Sequence, residues 1–287
     1  MAGTNVGGVL RVATCQFAET FDPRENAATI RSFLDEAASQ KAQLVHFHEC
    51  ALTGYLARPG APRAADVDWA ALKEATQGIC AHAQARKLWV VLGSCHPLTP
   101  PHKPTNCLYL IGPDGTVYDR YDKRFCTAAD LDVFTPGDRY VLFTVGGVRC
   151  ALLICFDLRF PELYRELKTQ GAQTLFQSFH NGYTSGPGVH THIMRQTMQA
   201  HAGINYMWVS ANNSSGRYSR WPSVFIQPDG VIVGQLRQNR PGMMVNDIDT
   251  RGDFYDASIQ FRDAAIAGAR HSGQTVNDPR QADTTSL

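Results

Sequence analysis

The stretch ALLICFDLRFPELYREL, residues 151–167, combines a strand, a reactive side chain and the start of a helix. Apolar residues of strand-forming type lead into Cys155, and the pattern then changes at once to aromatic and charged residues. Pro161 suits the first turn of a helix, and Gly171 suits the position just past a helix end. The stretch therefore predicts a buried strand that ends at a cysteine and is followed by a helix.

Strand-like and helix-like segments alternate along the rest of the chain. The predicted strands are 9–17, 44–50, 88–97, 174–179 and 206–213, and the predicted helices are 25–42, 71–88, 161–171 and 190–205. The turn residues Pro113-Asp114-Gly115 and Pro228-Asp229-Gly230 predict hairpins over 106–123 and 223–236. This alternation predicts an α/β protein. The number of strands favours two mixed sheets packed face to face, with helices outside both.

Length and charge favour one large domain that acts on a small molecule. A chain of 287 residues, 44% of them hydrophobic, can bury a sizeable core. The 27 Lys and Arg residues balance 26 Asp and Glu residues, and the net charge of +1 gives no electrostatic reason to expect nucleic acid or an anionic membrane as a partner. The end of the chain is polar and aperiodic. We therefore predict a domain over 1–270 and a tail over 271–287.

Two further patterns concern the cellular compartment. No segment approaches the roughly 18 continuous apolar residues of a membrane span, and the first residues carry no charged region ahead of a long apolar run. The eight cysteines are scattered without a C-x-x-C pair, which argues against a disulfide framework and a zinc ribbon. Most of them are expected to be reduced core residues. The patterns predict a soluble, cytoplasmic protein.

Three segments place reactive side chains where predicted strands end. They are HFHECALTGY (46–55), RYDKRF (120–125) and LICFDLRF (153–160). Taken singly, Glu49, Lys123 and Cys155 are weak signals, because each also has an ordinary structural explanation. Together they are complementary: a carboxylate can take the proton of a thiol, and a cation can stabilise the negative charge that then develops.

These segments, in this order, resemble the nitrilase or carbon–nitrogen hydrolase superfamily over about residues 9–250. LVHFHECALTGY resembles the family's glutamate segment, YDKRF its lysine segment, ICFDLRFPEL its cysteine elbow, and FTPGD (134–138) the turn after the lysine loop. The resemblance implies a Glu-Lys-Cys triad. In it Glu49 is the general base, Lys123 the oxyanion-stabilising cation and Cys155 the nucleophile.

The resemblance also implies supporting residues, a fold and an assembly. Asp130 stands where the family often has a second glutamate, and His48 replaces the usual proline before the catalytic glutamate. The backbone N–H of Phe156 is implied as a second donor to the oxyanion. The implied fold is a four-layer αββα sandwich of two mixed sheets, and the implied assembly is a homodimer or a larger homo-oligomer. No cofactor and no metal is implied.

Within the superfamily, CFDLRFPE is more similar to the amidase and carbamoylase branches than to true nitrilases. The implied reaction is hydrolysis of an amide or N-carbamoyl C–N bond through a thioester, with release of ammonia. Hydrolysis of a nitrile through a thioimidate is the alternative. The implied partner is therefore a small amide, ureido compound or nitrile.

Several residues are candidates for binding that substrate. Arg159 resembles an arginine that holds the substrate carboxylate in some carbamoylases, although a structural ion pair with Glu162 or another carboxylate is an equally open interpretation. The other predicted substrate-binding residues are Tyr55, His180 and Asn181. The glycine-rich loop HNGYTSGPGVH (180–190) is a candidate lid, with a plain surface connection as the alternative.

Two other classes of protein remain open from the sequence. His46 and His48 form an H-x-H pattern, as do His190 and His192, and such histidines could bind zinc in a β/α-barrel hydrolase. Strand alternation also places the first pair on one face for packing reasons alone. The second alternative is a binding protein that kept the fold and lost catalysis.

Overall fold

The strands form two mixed six-stranded sheets. The computed structural model describes residues 7–183, 185–186 and 188–285. The strands are β1 (Val9–Gln16), β2 (Leu44–Phe47), β3 (Trp89–His96), β4 (Thr105–Ile111), β5 (Val117–Asp122), β6 (Leu142–Val145), β7 (Val148–Ile154), β8 (Thr174–Phe179), β9 (Trp208–Asn213), β10 (Val224–Ile226), β11 (Ile232–Gln235) and β12 (Gly242–Asp249). The first sheet has the order β12-β1-β2-β3-β4-β5, and the second has the order β11-β10-β9-β8-β7-β6. Each sheet combines parallel and antiparallel pairs.

Helices pack on the outer face of each sheet. Up to residue 205 the chain forms the α-helices α1 (Pro23–Ser39), α2 (Trp69–Arg86), α3 (Ala128–Val133), α4 (Pro161–Thr169) and α5 (His190–Asn205). Apolar residues of α1 and α2, such as Ile30 and Leu72, share a core with the first sheet. Leu163 of α4 and Met198 of α5 share a core with the second sheet. The predicted four-layer αββα sandwich is confirmed.

Polar side chains lie between the two sheets as well as apolar ones. His46 of β2 is fully buried, and its two ring nitrogens each contact a serine hydroxyl of the other sheet, Nδ1 to Ser210 and Nε2 to Ser178, both at 2.9 Å. Thr14 of β1 also contacts Ser210, at 2.8 Å. Hydrogen bonds require specific partners, so these contacts fix how the sheets lie against each other.

The burial of His46 predicts a pH dependence of stability. Burial, and then the neighbouring charge of His48, lowers the pKa of His46 from 6.5 to about 3. The unfolded chain therefore binds more protons than the folded chain below pH 6.5, and stability falls with the pH. From pH 6.5 to about pH 5, this one group is expected to cost about 2 kcal/mol of unfolding free energy. Urea unfolding of His46→Gln should show a smaller loss of unfolding free energy over this pH range than wild type. The exposed control His102→Gln should lose as much as wild type. Equal losses in all three proteins would contradict the assignment.

Several predicted boundaries differ from the structure for local reasons. The strand predicted over 44–50 ends at Phe47, because the chain turns there and Cys50 has a φ of 53°. The strand predicted from 206 begins at Trp208, because Tyr206 has a left-handed φ of 48° that ends α5. The edge strand β12, antiparallel to β1, was not predicted.

Both hairpins are confirmed where the turn chemistry placed them. Pro113-Asp114-Gly115 joins β4 to β5, and Pro228-Asp229-Gly230 joins β10 to β11. Gly115 and Gly230 have φ values of 79° and 86°, a conformation that glycine adopts without strain.

The chain divides into two compact units, Met1–Tyr255 and Asp256–Leu287. The second contains two short helices, α6 (Arg262–Ile266) and α7 (Pro279–Ala282). The domain boundary expected at residue 270 stays a prediction, and Ser286 and Leu287 of the predicted tail lie outside the described residues. In the described part of the chain, no helix is both long enough and apolar enough to cross a bilayer.

Candidate active site

Glu49 lies in a tight turn just after β2 and is fully buried. The turn passes so close to β3 that a Cβ atom on Gly93 would lie 1.9 Å from the carbonyl oxygen of His48. The backbone N–H of Leu52 donates to the carbonyl oxygen of Gly93 at 2.9 Å. Glycine at this position therefore lets the turn dock on the sheet, which fixes the Glu49 carboxylate on rigid backbone.

Lys123, at the end of β5, inserts its ammonium group between two carboxylates. Its Nζ lies 2.8 Å from Glu49 Oε1 and 2.9 Å from Asp130 Oδ2, and its side chain is 1% exposed. Glu49 Oε1 also accepts a hydrogen bond from Nδ2 of Asn106, at 2.7 Å. Burial alone would lower the pKa of Lys123, but the negative charge of Glu49, with contributions from Cys155, Tyr55 and Asp130, raises it well above its usual value. The group is therefore a cation at neutral pH.

Asp130 is built into the start of α3. Its Oδ2 accepts from the backbone N–H of Thr127 at 2.9 Å, its own N–H donates to the Thr127 hydroxyl, and its Oδ1 accepts from the Tyr55 hydroxyl at 2.6 Å. Burial raises the pKa of Asp130, but Lys123 and the Tyr55 bond outweigh burial, and the pKa is lowered. Asp130 thus lies against the Lys123 ammonium as a second carboxylate beside Glu49, and its supporting role stays a prediction.

Cys155 lies at a sharp turn directly after β7. Its φ of 43° lies in the left-handed region, which costs energy for a residue with a side chain. Asp157 holds the turn, accepting from the backbone N–H of Ile154 and of Phe125, each at 2.9 Å, and from the Tyr121 hydroxyl at 2.7 Å. Burial outweighs these bonds and raises the pKa of Asp157 to about 6. The chain here forms an elbow that presents the half-buried cysteine.

Glu49, Lys123 and Asp130 form a buried charge cluster, and their charges act on the pKa of the Cys155 thiol. Burial raises its pKa, Glu49 raises it further, Lys123 lowers it, and the backbone N–H of His180 also lowers it by a hydrogen bond. The net pKa lies well above the usual value, so the resting group is a neutral thiol. A nucleophile in this state needs a base that takes its proton during attack, and Glu49 is the adjacent carboxylate.

A cavity of about 340 Å³ adjoins this cluster. Its polar lining consists of Tyr55, Arg58, His180, Asn181, His190 and Arg220. Tyr55 donates to Asp130, and the backbone N–H of His180 donates to Glu49 Oε2 at 2.7 Å, so two lining residues bond directly to the charge cluster. Among the described residues, the lining contains arginine and histidine but no carboxylate, which suits an anionic or electron-rich ligand.

The remaining predicted site residues lie around this centre with different exposure. Tyr55, His180 and Asn181 line the cavity, whereas Arg159 is exposed. Among the described residues no ion pair joins Arg159 to Glu162. The charge of Arg159 instead acts on the cavity residue His190, whose pKa is lowered by partial burial and by the charges of Arg159 and Arg220. Phe156 follows Cys155 in the elbow. Their roles stay predictions. Thr184 and Pro187 of the candidate lid lie outside the described residues.

The β/α-barrel alternative is wrong, because the strands form two separate six-stranded mixed sheets instead of one closed barrel. Both ring nitrogens of His46 contact serine hydroxyls, and Nδ1 of His48 contacts the carbonyl oxygen of Glu49 at 3.1 Å. Within the described residues, no group of three or more His, Cys, Asp or Glu side chains is arranged to hold a metal ion. The packing interpretation of this H-x-H pattern accounts for His46.

Three residues at this centre were not found by sequence reasoning. Asp157 carried a local signal, because an aspartate two residues past a strand end is a common turn residue. Asn106 reaches Glu49 only because β4 pairs with β3, which places it opposite Cys95. Glu19 contacts His180, 161 positions away. Neither of the last two has a local pattern that marks it.

Comparison with known proteins gives one family match and several relatives. The profile of the carbon-nitrogen hydrolase family matches residues 11–252. A protein of Mycobacterium tuberculosis named only as a hydrolase is 33% identical over 190 residues, which are 62% of this chain and 63% of that protein. An omega-amidase of Homo sapiens is 26% identical over 254 residues, 84% of this chain and 89% of that protein. The chain thus spans less than two thirds of the mycobacterial relative.

Solved structures show the same fold. A mutant of Nesterenkonia AN1 amidase from the nitrilase superfamily has a TM-score of 0.75 at 24% sequence identity, covering 91% of this chain and 97% of that chain. A mutant of the amidase from Nesterenkonia sp. AN1 in complex with butyramide has a TM-score of 0.73 at 25% identity, covering 84% and 92%. Because the family match spans residues 11–252 and includes the segments of Glu49, Lys123 and Cys155, the chain belongs to the carbon–nitrogen hydrolase family.

Proposed function

We propose that the protein hydrolyses the C–N bond of a small amide, releasing ammonia and a carboxylic acid through a thioester on Cys155. The observation that carries this proposal is the buried 2.8 Å contact between Lys123 and Glu49, whose charges both act on the thiol of a strained elbow. A base, a cation and a nucleophile in one buried cluster are the groups that acyl transfer needs.

In the acylation step, the sulfur of Cys155 attacks the amide carbon while Glu49 takes the thiol proton. The oxygen of the tetrahedral intermediate becomes negative, and the ammonium of Lys123, with the backbone N–H of Phe156, stabilises it. Donors of this kind contribute about 3 to 4 kcal/mol each in comparable sites. The C–N bond then breaks, and the leaving nitrogen takes the proton from Glu49 and departs as ammonia.

In the deacylation step, Glu49 takes a proton from water, and the resulting hydroxide attacks the thioester carbon. The second tetrahedral intermediate collapses, the C–S bond breaks, and the acid leaves. The proton on Glu49 returns to the thiolate, so the site regains its resting state. Asp130 keeps Lys123 in place through both steps, because the two lie 2.9 Å apart.

The cavity favours an amide that carries a carboxylate at its other end. Arg58 lines the cavity and stacks on the rings of Phe21 and Tyr183, at 4.3 Å and 3.8 Å. Its Nε is buried and has no hydrogen-bond partner among the described residues. Arg220 lines the same cavity, and its Nη1 donates to the carbonyl oxygen of Gly186. Arginine forks bind carboxylates with two parallel hydrogen bonds, which gives this end of the substrate a matching site.

The test is ammonia release from paired substrates of equal length, one a monoamide of a short dicarboxylic acid and one a neutral unbranched amide. Arg58→Gln is expected to raise KM at least about tenfold for the carboxylate-bearing amide alone, because it removes a charge-assisted hydrogen bond. Arg63→Gln is a matched control, since Arg63 is exposed and paired with Asp66. An equal rise in KM for both substrates would contradict the carboxylate site, and no ammonia from either would contradict the function.

The panel also includes an N-carbamoyl amine and a nitrile. The omega-amidase relatives and the amidase solved with butyramide favour an amide, so we expect the nitrile, which would react through a thioimidate, to be the poorer substrate. A protein that binds these compounds without turning any of them over would be the inactive alternative. Cytoplasmic location and assembly as a homodimer or larger homo-oligomer stay predictions.

A further inference from the structure

Glu19 is a buried carboxylate that the mechanism above does not use. It is 2% exposed, and its Oε1 accepts from Nε2 of His180 at 2.7 Å. Its Oε2 accepts from the Ser214 hydroxyl at 2.6 Å and lies 3.9 Å from Nε2 of His48. Burial raises the pKa of Glu19, but the two histidines and Ser214 outweigh it and lower the pKa to about 2. The group is therefore ionised at neutral pH, and Nε2 of His180 carries the proton in their hydrogen bond.

His180 joins this carboxylate to the charge cluster. Its imidazole packs against the rings of Tyr55 and Tyr183, with centroids 4.7 Å and 5.4 Å away. Its backbone N–H donates to Glu49 Oε2 at 2.7 Å. The backbone amide of residue 180 thus bonds to the proposed base, and the side chain of the same residue is held by Glu19.

The position of this amide depends on its side-chain anchor. Residue 180 directly follows β8, which ends at Phe179, so the sheet supports it from one side only. A short hydrogen bond to an ionised carboxylate is among the stronger anchors available to an imidazole. A displacement of about 1 Å at a reacting group can change a rate by about 100-fold. Loss of the anchor would therefore affect the geometry between Glu49 and Cys155.

We propose that Glu19 is a positioning residue for the acyl-transfer site. By holding the imidazole of His180, it holds the backbone N–H of residue 180 against Oε2 of Glu49, and so keeps this carboxylate in the position from which it takes the thiol proton of Cys155. The proposal rests on the proposed function, in which these two side chains are the base and the nucleophile. A purely structural role for Glu19 would affect stability without affecting how readily Cys155 reacts.

The experiment compares Glu19→Ala, Glu19→Gln and Ser214→Ala with wild type. Glu19→Ala is expected to lower kcat by about 10- to 100-fold while KM changes by less than about threefold, because alignment is lost while the arginines proposed to bind the substrate carboxylate stay in place. The rate at which iodoacetamide labels Cys155, followed by peptide mass, is expected to fall with kcat. Glu19→Gln keeps an acceptor for His180 and should recover part of both rates. Ser214→Ala removes a bond of similar length, 2.6 Å against 2.7 Å, from the same carboxylate and should keep both rates near wild type.

A folded Glu19→Ala with wild-type kcat and wild-type labelling of Cys155 would overturn the proposal, as would an equal loss in Ser214→Ala. If Glu19→Ala does not fold, Glu19→Gln decides, and unchanged rates in that variant would overturn it. The labelling rate needs no substrate. Wild type that releases no ammonia from any amide would therefore contradict the proposed function, while the labelling rates would still support or overturn the role of Glu19.

Discussion

Replacing Cys155 by alanine is expected to lower ammonia release by about 10⁴-fold or more. Removing the nucleophile of an acyl-transfer site lowers the rate about as much as removing all of its catalytic residues, because the remaining base and cation have no nucleophile to activate. The fold should survive, because the cysteine is half-buried and alanine leaves only a small void. The measurement is the steady-state rate at saturating amide, with thermal unfolding as a check of the fold.

Cys126→Ala is the matched control for that experiment. Cys126 is also a free, half-buried thiol, it lies three residues after Lys123, and the charges of Lys123 and Asp130 act on it as well. Burial with Asp130 raises the pKa of Cys126 to about 12, so it is a neutral thiol in the same electrostatic region. Its replacement should change the rate by less than about twofold. Equal losses in the two variants would mean that the effect is not specific to the elbow.

Replacing Lys123 by methionine is expected to cost both stability and activity. The ammonium group lies between two fully buried carboxylates, and removing one member of a buried ion pair costs about 3 to 5 kcal/mol, because the partners remain charged without compensation. The rate should also fall by about 10² to 10³-fold, because the oxyanion loses its main donor. Urea unfolding measures the first effect, and the steady-state rate measures the second.

Two further variants separate these effects of Lys123. Adding Asp130→Asn to Lys123→Met removes one uncompensated charge, so stability should recover in part while the rate stays low. Lys73→Met on α2 is the control for loss of a lysine, since Lys73 is exposed. If Lys123→Met kept its stability within about 1 kcal/mol and retained the wild-type rate, the buried cluster would not have the role described here.

The proposed triad could be predicted from the sequence because each member lies in a short segment with its own local pattern. Glu49, Lys123 and Cys155 all follow strands, and strand ends are readable from apolar runs that stop at charges. The order of the three segments then allowed the family resemblance. The contact between Lys123 and Glu49, 74 positions apart, confirms that these two segments meet.

The supporting contacts could not be predicted, because they depend on how distant strands are paired. Asn106 reaches Glu49 through the antiparallel pairing of β3 and β4, and Glu19 reaches His180 and Ser214 across 161 and 195 positions. The same limit applies to β12, whose place beside β1 joins the two ends of the first unit. Local periodicity contains no information about such pairings, so Asn106 and Glu19 look like ordinary polar positions in the sequence.

The central claim is that catalysis passes through an acyl group on the sulfur of Cys155, and the most direct measurement is the mass of the enzyme quenched during turnover. Wild type is mixed with a saturating amide, quenched in acid within one turnover, and digested for peptide mass analysis. We predict that the peptide containing Cys155 carries the acyl group in place of the thiol hydrogen, and that Cys155→Ala shows no such adduct. Turnover that leaves Cys155 unmodified at every quench time, or an acyl group on any other residue, would contradict the account.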